Sequence, residues 1–202
     1  LDKEQAMAFA LNMIASSWMR RAFAQSAVAM TAIGGGAGEV TNFIDVSDAP
    51  PLPVVVDMRD KLPTSGLYPM RTRKPETLVI HHTASTGQGW GTIAQFHVEV
   101  NKWQAIGYAF GTSWDGKCFV LQDPERRQNQ TRGHNSTTIG LAMLGNFEKA
   151  PIGHQQEQAT RRFVRHLLER YGYKRVRAHR HLVSTACPGR YAVEQLADLW
   201  TE

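Results

Sequence analysis

Two short apolar runs constrain this chain most. Thr77-Leu-Val-Ile-His-His82 and Thr137-Thr-Ile-Gly-Leu-Ala-Met-Leu-Gly-Asn-Phe147 are bounded by loop-forming residues and are too short for ordinary helices. Both read as buried strands. Between and after them lie segments of helical period. Trp90-Gly-Thr-Ile-Ala-Gln-Phe-His-Val-Glu-Val100 puts Trp90, Ile93, Phe96, His97 and Val100 on one face. Residues 155–173 carry a stripe of Phe163, Val164, Leu167, Leu168 and Tyr171, with Gly172 as the C-terminal stop. Residues 106–122 read as two strands around an Asp115-Gly116 hairpin turn. Residues 175–179 give a further strand and 191–200 a last helix. Strands alternating with helices predict an α/β domain with a mixed central β-sheet flanked by helices.

The N-terminal part differs in texture. Residues 3–32 read as one long Ala-rich helix, with Met7, Leu11, Ile14, Trp18 and Ala22 at helical spacing, ended by Gly34-Gly-Gly-Ala-Gly38. Its uncharged run, Gln5 to Met19, is shorter than the roughly 18–20 residues a membrane span needs. It is expected to dock or pack, in an oligomer or on a virion or another assembly. Six prolines between residues 39 and 77 bar a helix there. Only Pro53-Val-Val-Val-Asp-Met58 offers a short strand. The expected division is a helical segment over 1–33, a Gly/Pro-rich linker and extended lead-in over 34–76, and a catalytic domain over 77–202.

The formal charge of +5 favours polyanionic surroundings without choosing among them. The basic groups are short and dispersed, such as Arg71-Thr-Arg-Lys74, and read as solvated surface. No aromatic–basic motif points to nucleic acid. Two cysteines, Cys118 and Cys187, cannot form a disulfide framework and suit synthesis in a reducing compartment. The start Leu-Asp-Lys-Glu-Gln lacks the basic opening of a secretory signal and an initiator Met. Synthesis in the cytoplasm without a signal peptide is the expectation.

His81, His82 and His179 end predicted strands, where α/β folds place functional groups. Cys187 lies on the loop after His179. Two imidazoles and a thiolate suit zinc, and three protein ligands leave one position open. A lone histidine at a strand end is more often a polar cap, and the His-x7-Cys spacing is weak by itself, so both readings stand on the residues alone. Trp90 has two readings as well, core packing or sugar stacking. Cys118 reads as a buried small apolar residue.

Leu78-Val-Ile-His-His-Thr-Ala-Ser85, Ile106-Gly-Tyr-Ala-Phe110 followed by Asp115-Gly116, residues 137–147, and Ala178-His-Arg-His-Leu-Val-Ser-Thr-Ala-Cys-Pro-Gly189 together resemble the zinc N-acetylmuramoyl-L-alanine amidases. This is the amidase-2 group, which includes the amidase lysozymes of phages and the peptidoglycan recognition proteins. The resemblance implies one Zn2+ held by His81, His179 and Cys187, with Tyr108 near the metal and Thr185 facing the reacting carbonyl. It implies a supporting role for His97, and places His134 and Asn135 along the groove. His82 and Trp90 complete the expected substrate contacts. The implied reaction is hydrolysis of the amide between N-acetylmuramic acid and L-Ala in peptidoglycan, in a phage or prophage endolysin or virion-associated lysin acting at the bacterial wall. The alternatives are a non-catalytic peptidoglycan-binding module, or an amidase anchored in an assembly by residues 3–32. Some family positions differ. Lys102 stands where glycine often precedes Trp, Ala105 where an acid is usual, and Ala109 where His or Asn follows the tyrosine.

Overall fold

The computed structural model describes residues 54–201, and the helix expected over 3–32 lies outside them. Six strands form one sheet: β1 (Val55–Asp57), β2 (Thr77–His82), β3 (Phe110–Thr112), β4 (Cys118–Val120), β5 (Thr138–Met143) and β6 (Arg175–Ala178). Their spatial order is β1-β4-β3-β5-β2-β6. β2 pairs in parallel with both β5 and β6, while β3 and β4 form the antiparallel hairpin. The sheet is mixed, as the sequence predicts. Parallel central strands must be covered on both faces. Accordingly, every residue of β2 and of β5 is buried.

Two helices define the faces. α1 (Trp90–Glu99) buries Trp90, Ile93, Ala94 and His97, and its apolar side chains pack with Ile106, Leu121, Ala142 and Leu144. α2 (His154–Tyr171) packs Phe163, Val164 and Leu167 against Leu78, Ile80, Phe110, Ile139, Leu141 and Met143. A short α3 (Arg190–Gln195) adds Ala192 to that second layer. Leu78 and Ile80 face α2, so the intervening Val79 and His81 face the α1 side. The last segment is shorter than expected: α3 ends at Gln195 and a 3-10 turn follows over Ala197–Leu199.

Three sequence expectations are corrected. Phe96 and Val100 are 51% and 62% exposed, so the buried face of α1 is narrower than its apolar pattern suggested. Trp90 is 4% exposed and its indole lies on Gly111, where a Cβ would come within 2.3 Å of the ring. That indole belongs to the core and is not offered to a sugar. The lead-in over 54–76 belongs to the folded unit, since β1 extends the sheet and Tyr68 is buried with its hydroxyl donating to Ala105 O at 2.8 Å.

Lys102 is exposed and adopts φ 58°. This left-handed conformation costs a side-chain-bearing residue about 1–2 kcal/mol, partly offset by the greater unfolded freedom of glycine. Lys102→Gly is expected to raise stability by about 0.5–1 kcal/mol, read as a higher melting temperature. A lower melting temperature would show that the Lys102 side chain contributes more than its backbone costs.

Candidate metal centre

Strand register builds the site. Ile80 of β2 pairs with Ala178, the last residue of β6, so His81 comes beside His179, the first residue after β6. Their rings lie 4.4 Å apart between centroids. After β6 the chain turns through a 3-10 segment, His179–His181, and loops back. Arg180 N donates to Cys187 O at 2.9 Å and closes that loop. The closure brings Cys187 Sγ to 3.6 Å from His81 Nδ1. The ligating atoms of His81, His179 and Cys187 all lie within 4.8 Å of one another.

These atoms fit a metal. Ligands at about 2.1 Å (nitrogen) and 2.3 Å (sulfur) around a tetrahedral zinc lie about 3.6 Å apart. His179 Nδ1 is buried and has no hydrogen-bond partner. A buried imidazole nitrogen without a partner is costly unless something occupies its lone pair. Burial pushes the Cys187 thiol up to about 12, with the His82 N–H, donating to Sγ at 3.4 Å, opposing the shift. The sulfur is therefore a thiol at neutral pH unless a cation sits beside it. Burial, followed by the neighbouring His179, holds the His81 imidazole well below the usual histidine range, which keeps it a neutral ligand.

Tyr108 lies against this cluster, its ring centroid 5.2 Å from that of His81. Burial, and secondly the charge of Cys187, raises its pKa, so it stays a phenol able to donate. Thr185 is half-buried, and its Oγ1 accepts the Cys187 N–H at 3.2 Å. One hydroxyl proton is left to give.

Other expected contacts lie elsewhere. His82 points to the opposite face from His81, and its Nδ1 accepts the Phe147 N–H at 3.1 Å. It supports the fold and reaches the metal cluster only through its backbone. Asn135 is also structural, its Oδ1 accepting from Gln130 N and Thr131 N at 3.0 and 2.7 Å. His134 is half-buried and lines a separate cavity with Arg73, Lys74 and Arg175. His97 uses Nδ1 to accept the Gly107 N–H at 3.1 Å, in keeping with support. His181 lies in the 3-10 turn, where its Nδ1 accepts the Ala178 N–H and its ring stands edge-on to Trp200. Arg71, expected as solvated surface, is half-buried and donates to Pro124 O, Asn135 O and Gln128 Oε1.

The sequence reading missed Gln130. Its Oε1 lies 2.7 Å from His81 Nε2, and it packs across β5 at Gly140, where a Cβ would come within 3.1 Å of its Cγ. A glycine inside a buried strand is the available signal for such an approach.

With this geometry in view, the comparisons are specific. Residues 71–190 match the family described as Amidase_2, N-acetylmuramoyl-L-alanine amidase. The chain is 30% identical over 138 residues to a mouse N-acetylmuramoyl-L-alanine amidase, which covers 61% of this chain and 26% of that protein. It thus spans about a quarter of that relative's length. It is 26% identical to peptidoglycan-recognition protein SD of Drosophila simulans, over 79% of this chain and 92% of the relative. Among solved structures it resembles the endolysin amidase LysCS from Clostridium intestinale, with TM-score 0.64, 24% identity, and coverage of 74% of this chain and 97% of that one. It also resembles Drosophila peptidoglycan recognition protein SD, with TM-score 0.66, 22% identity, and coverage of 74% and 98%.

Burial pushes His82 and His97 down to about 4, against about 6.5 in an unfolded chain. Both use Nδ1 as an acceptor, a role that protonation removes. The native state holds fewer protons between those values. Its stability is therefore complete above about pH 6.5 and is lost as pH falls towards about 4. Urea unfolding at pH 7 and pH 5 is expected to differ by roughly 2–4 kcal/mol. Equal free energies at the two values would contradict this burial.

Proposed function

The chain belongs to the N-acetylmuramoyl-L-alanine amidase family, and from that premise we propose that it is a zinc-dependent hydrolase of the amide between N-acetylmuramic acid and L-Ala in peptidoglycan. The observation that carries the reading is the convergence of His81, His179 and Cys187 donor atoms within 4.8 Å. These three residues hold the metal. When bound, zinc supplies Lewis acidity towards the amide and towards water.

The remaining work falls to the chain's own groups. Tyr108 is half-buried and desolvated, so it keeps its proton and donates a hydrogen bond to the oxygen that gains charge as the amide is attacked. Thr185 offers the hydroxyl proton left free by its bond to Cys187 N, and so orients the same carbonyl. Thr83 ties the strand ends together at the site's edge, its Oγ1 accepting from Gly145 N at 3.1 Å.

The acting place is the bacterial wall, an anionic polymer that suits a chain of net charge +5. A phage or prophage endolysin is the specific assignment. It is supported by likeness to LysCS and to the endolysin of Thermus scotoductus bacteriophage Ph2119, the latter with TM-score 0.64.

Release of L-Ala amino termini from purified peptidoglycan is expected, with loss on chelation. Cys187→Ser should lose zinc and hydrolysis together. Tyr108→Phe should keep zinc and lower the rate by about 10²–10³. Zinc binding without hydrolysis in the unaltered chain would favour a peptidoglycan-binding module, and hydrolysis unaffected by metal removal would refute the site.

A further inference from the structure

We propose that Gln130 is a positioning residue that fixes the tautomer of His81 and so turns its Nδ1 lone pair towards the metal position. The inference rests on the zinc reading above, and its origin is a chain of hydrogen bonds with a defined direction. At one end stands the His134 carbonyl, which can only accept. Thr138 Oγ1 donates its single proton to that carbonyl at 2.8 Å. Having spent its proton there, Thr138 Oγ1 accepts, and the group facing it at 2.5 Å is the Gln130 amide nitrogen. The amide is thereby oriented, because its other atom must be the oxygen. Gln130 Oε1 then accepts from Thr131 Oγ1 at 2.5 Å and faces His81 Nε2 at 2.7 Å. An oxygen at that distance requires a proton on Nε2. In a neutral imidazole the proton on Nε2 leaves Nδ1 bare, and Nδ1 is the atom 3.6 Å from Cys187 Sγ.

Flipping the amide would draw the Thr138 proton off the His134 carbonyl, 2.8 Å away, and leave that carbonyl only the backbone N–H groups of Thr137 and Thr138. Gln130, Thr131, Thr138 and His81 are all buried, so water is poorly placed to substitute. The backbone holding Gln130 is fixed as well. Asn135 Oδ1 accepts from Gln130 N and Thr131 N, and Arg71 donates to the Asn135 carbonyl at 3.0 Å. Gly140 leaves the space through which the Gln130 side chain crosses β5. An acceptor on the far nitrogen of a ligating histidine orients the ring and raises its basicity, and its loss commonly weakens metal binding about 10–100-fold.

The test combines zinc affinity with a direct view of the tautomer. Zinc dissociation constants are measured by chelator competition for the wild-type chain, Gln130→Met and Gln130→Glu, with circular dichroism to establish folding. Gln130→Met is expected to bind about 10–100-fold more weakly. Gln130→Glu, which keeps an acceptor for Nε2–H, should stay within about tenfold of wild type. Long-range 1H–15N correlation on the metal-free wild-type chain should show His81 protonated on Nε2. A folded Gln130→Met chain with wild-type affinity, or His81 protonated on Nδ1, overturns the proposal. If Gln130→Met fails to fold, the wild-type spectrum still decides it. A wild-type chain that takes up no zinc refutes the metal reading instead, and the tautomer spectrum continues to decide the role of Gln130.

Discussion

The parallel pairing of β2 with β6 is the constraint on which the site depends. Ile80 opposite Ala178 sets His81 beside His179, although the two lie 98 positions apart in sequence. A slip of one residue would reverse the faces of a whole strand. It would move His81 off the α1 side and bring His82 round in its place. The register is therefore enforced by the same burial that makes the core: Leu78 and Ile80 must face Phe163, Val164 and Leu167. The cluster of His81, His179 and Cys187 inherits its geometry from that hydrophobic requirement.

Burial also gives the site its chemical character. Each group at the centre is held away from its charged form: His81 and His179 below the ordinary histidine range, and Cys187 and Tyr108 above theirs, with desolvation the leading cause throughout. Such a cluster is poorly satisfied by itself, as the unpartnered His179 Nδ1 illustrates. A divalent cation offsets these costs together, since it accepts both imidazole lone pairs and ionises the thiol. The same dryness keeps Tyr108 a hydrogen-bond donor at neutral pH.

Much of the arrangement was legible in the sequence because it was written in local patterns. The apolar runs at 77–82 and 137–147 became β2 and β5, and the Asp115-Gly116 turn became the β3–β4 hairpin. The ligand candidates His81, His179 and Cys187 were readable from strand ends and from family motifs. What escaped was set by tertiary packing. Trp90 fits a groove or a core equally well as a letter, and only the Gly111 surface beneath it decides for the core. His82 and Asn135 sit next to reactive-looking motifs, yet His82 Nδ1 and Asn135 Oδ1 are spent on backbone N–H groups. Gln130 carries no motif of its own, and its contact with His81 depends on a loop held by Arg71 from the lead-in. In that lead-in the strand offered at 53–58 did form as β1, but the burial of Tyr68 against Ala105 is a tertiary contact that no local pattern signals.

The most direct measurement of the central claim is X-ray absorption at the zinc edge of the metal-loaded chain. The account predicts one sulfur at about 2.3 Å and two imidazole nitrogens at about 2.0–2.1 Å, with one zinc per chain. A coordination shell without sulfur, or with a single imidazole, would contradict a centre built by the β2–β6 register and closed by Cys187.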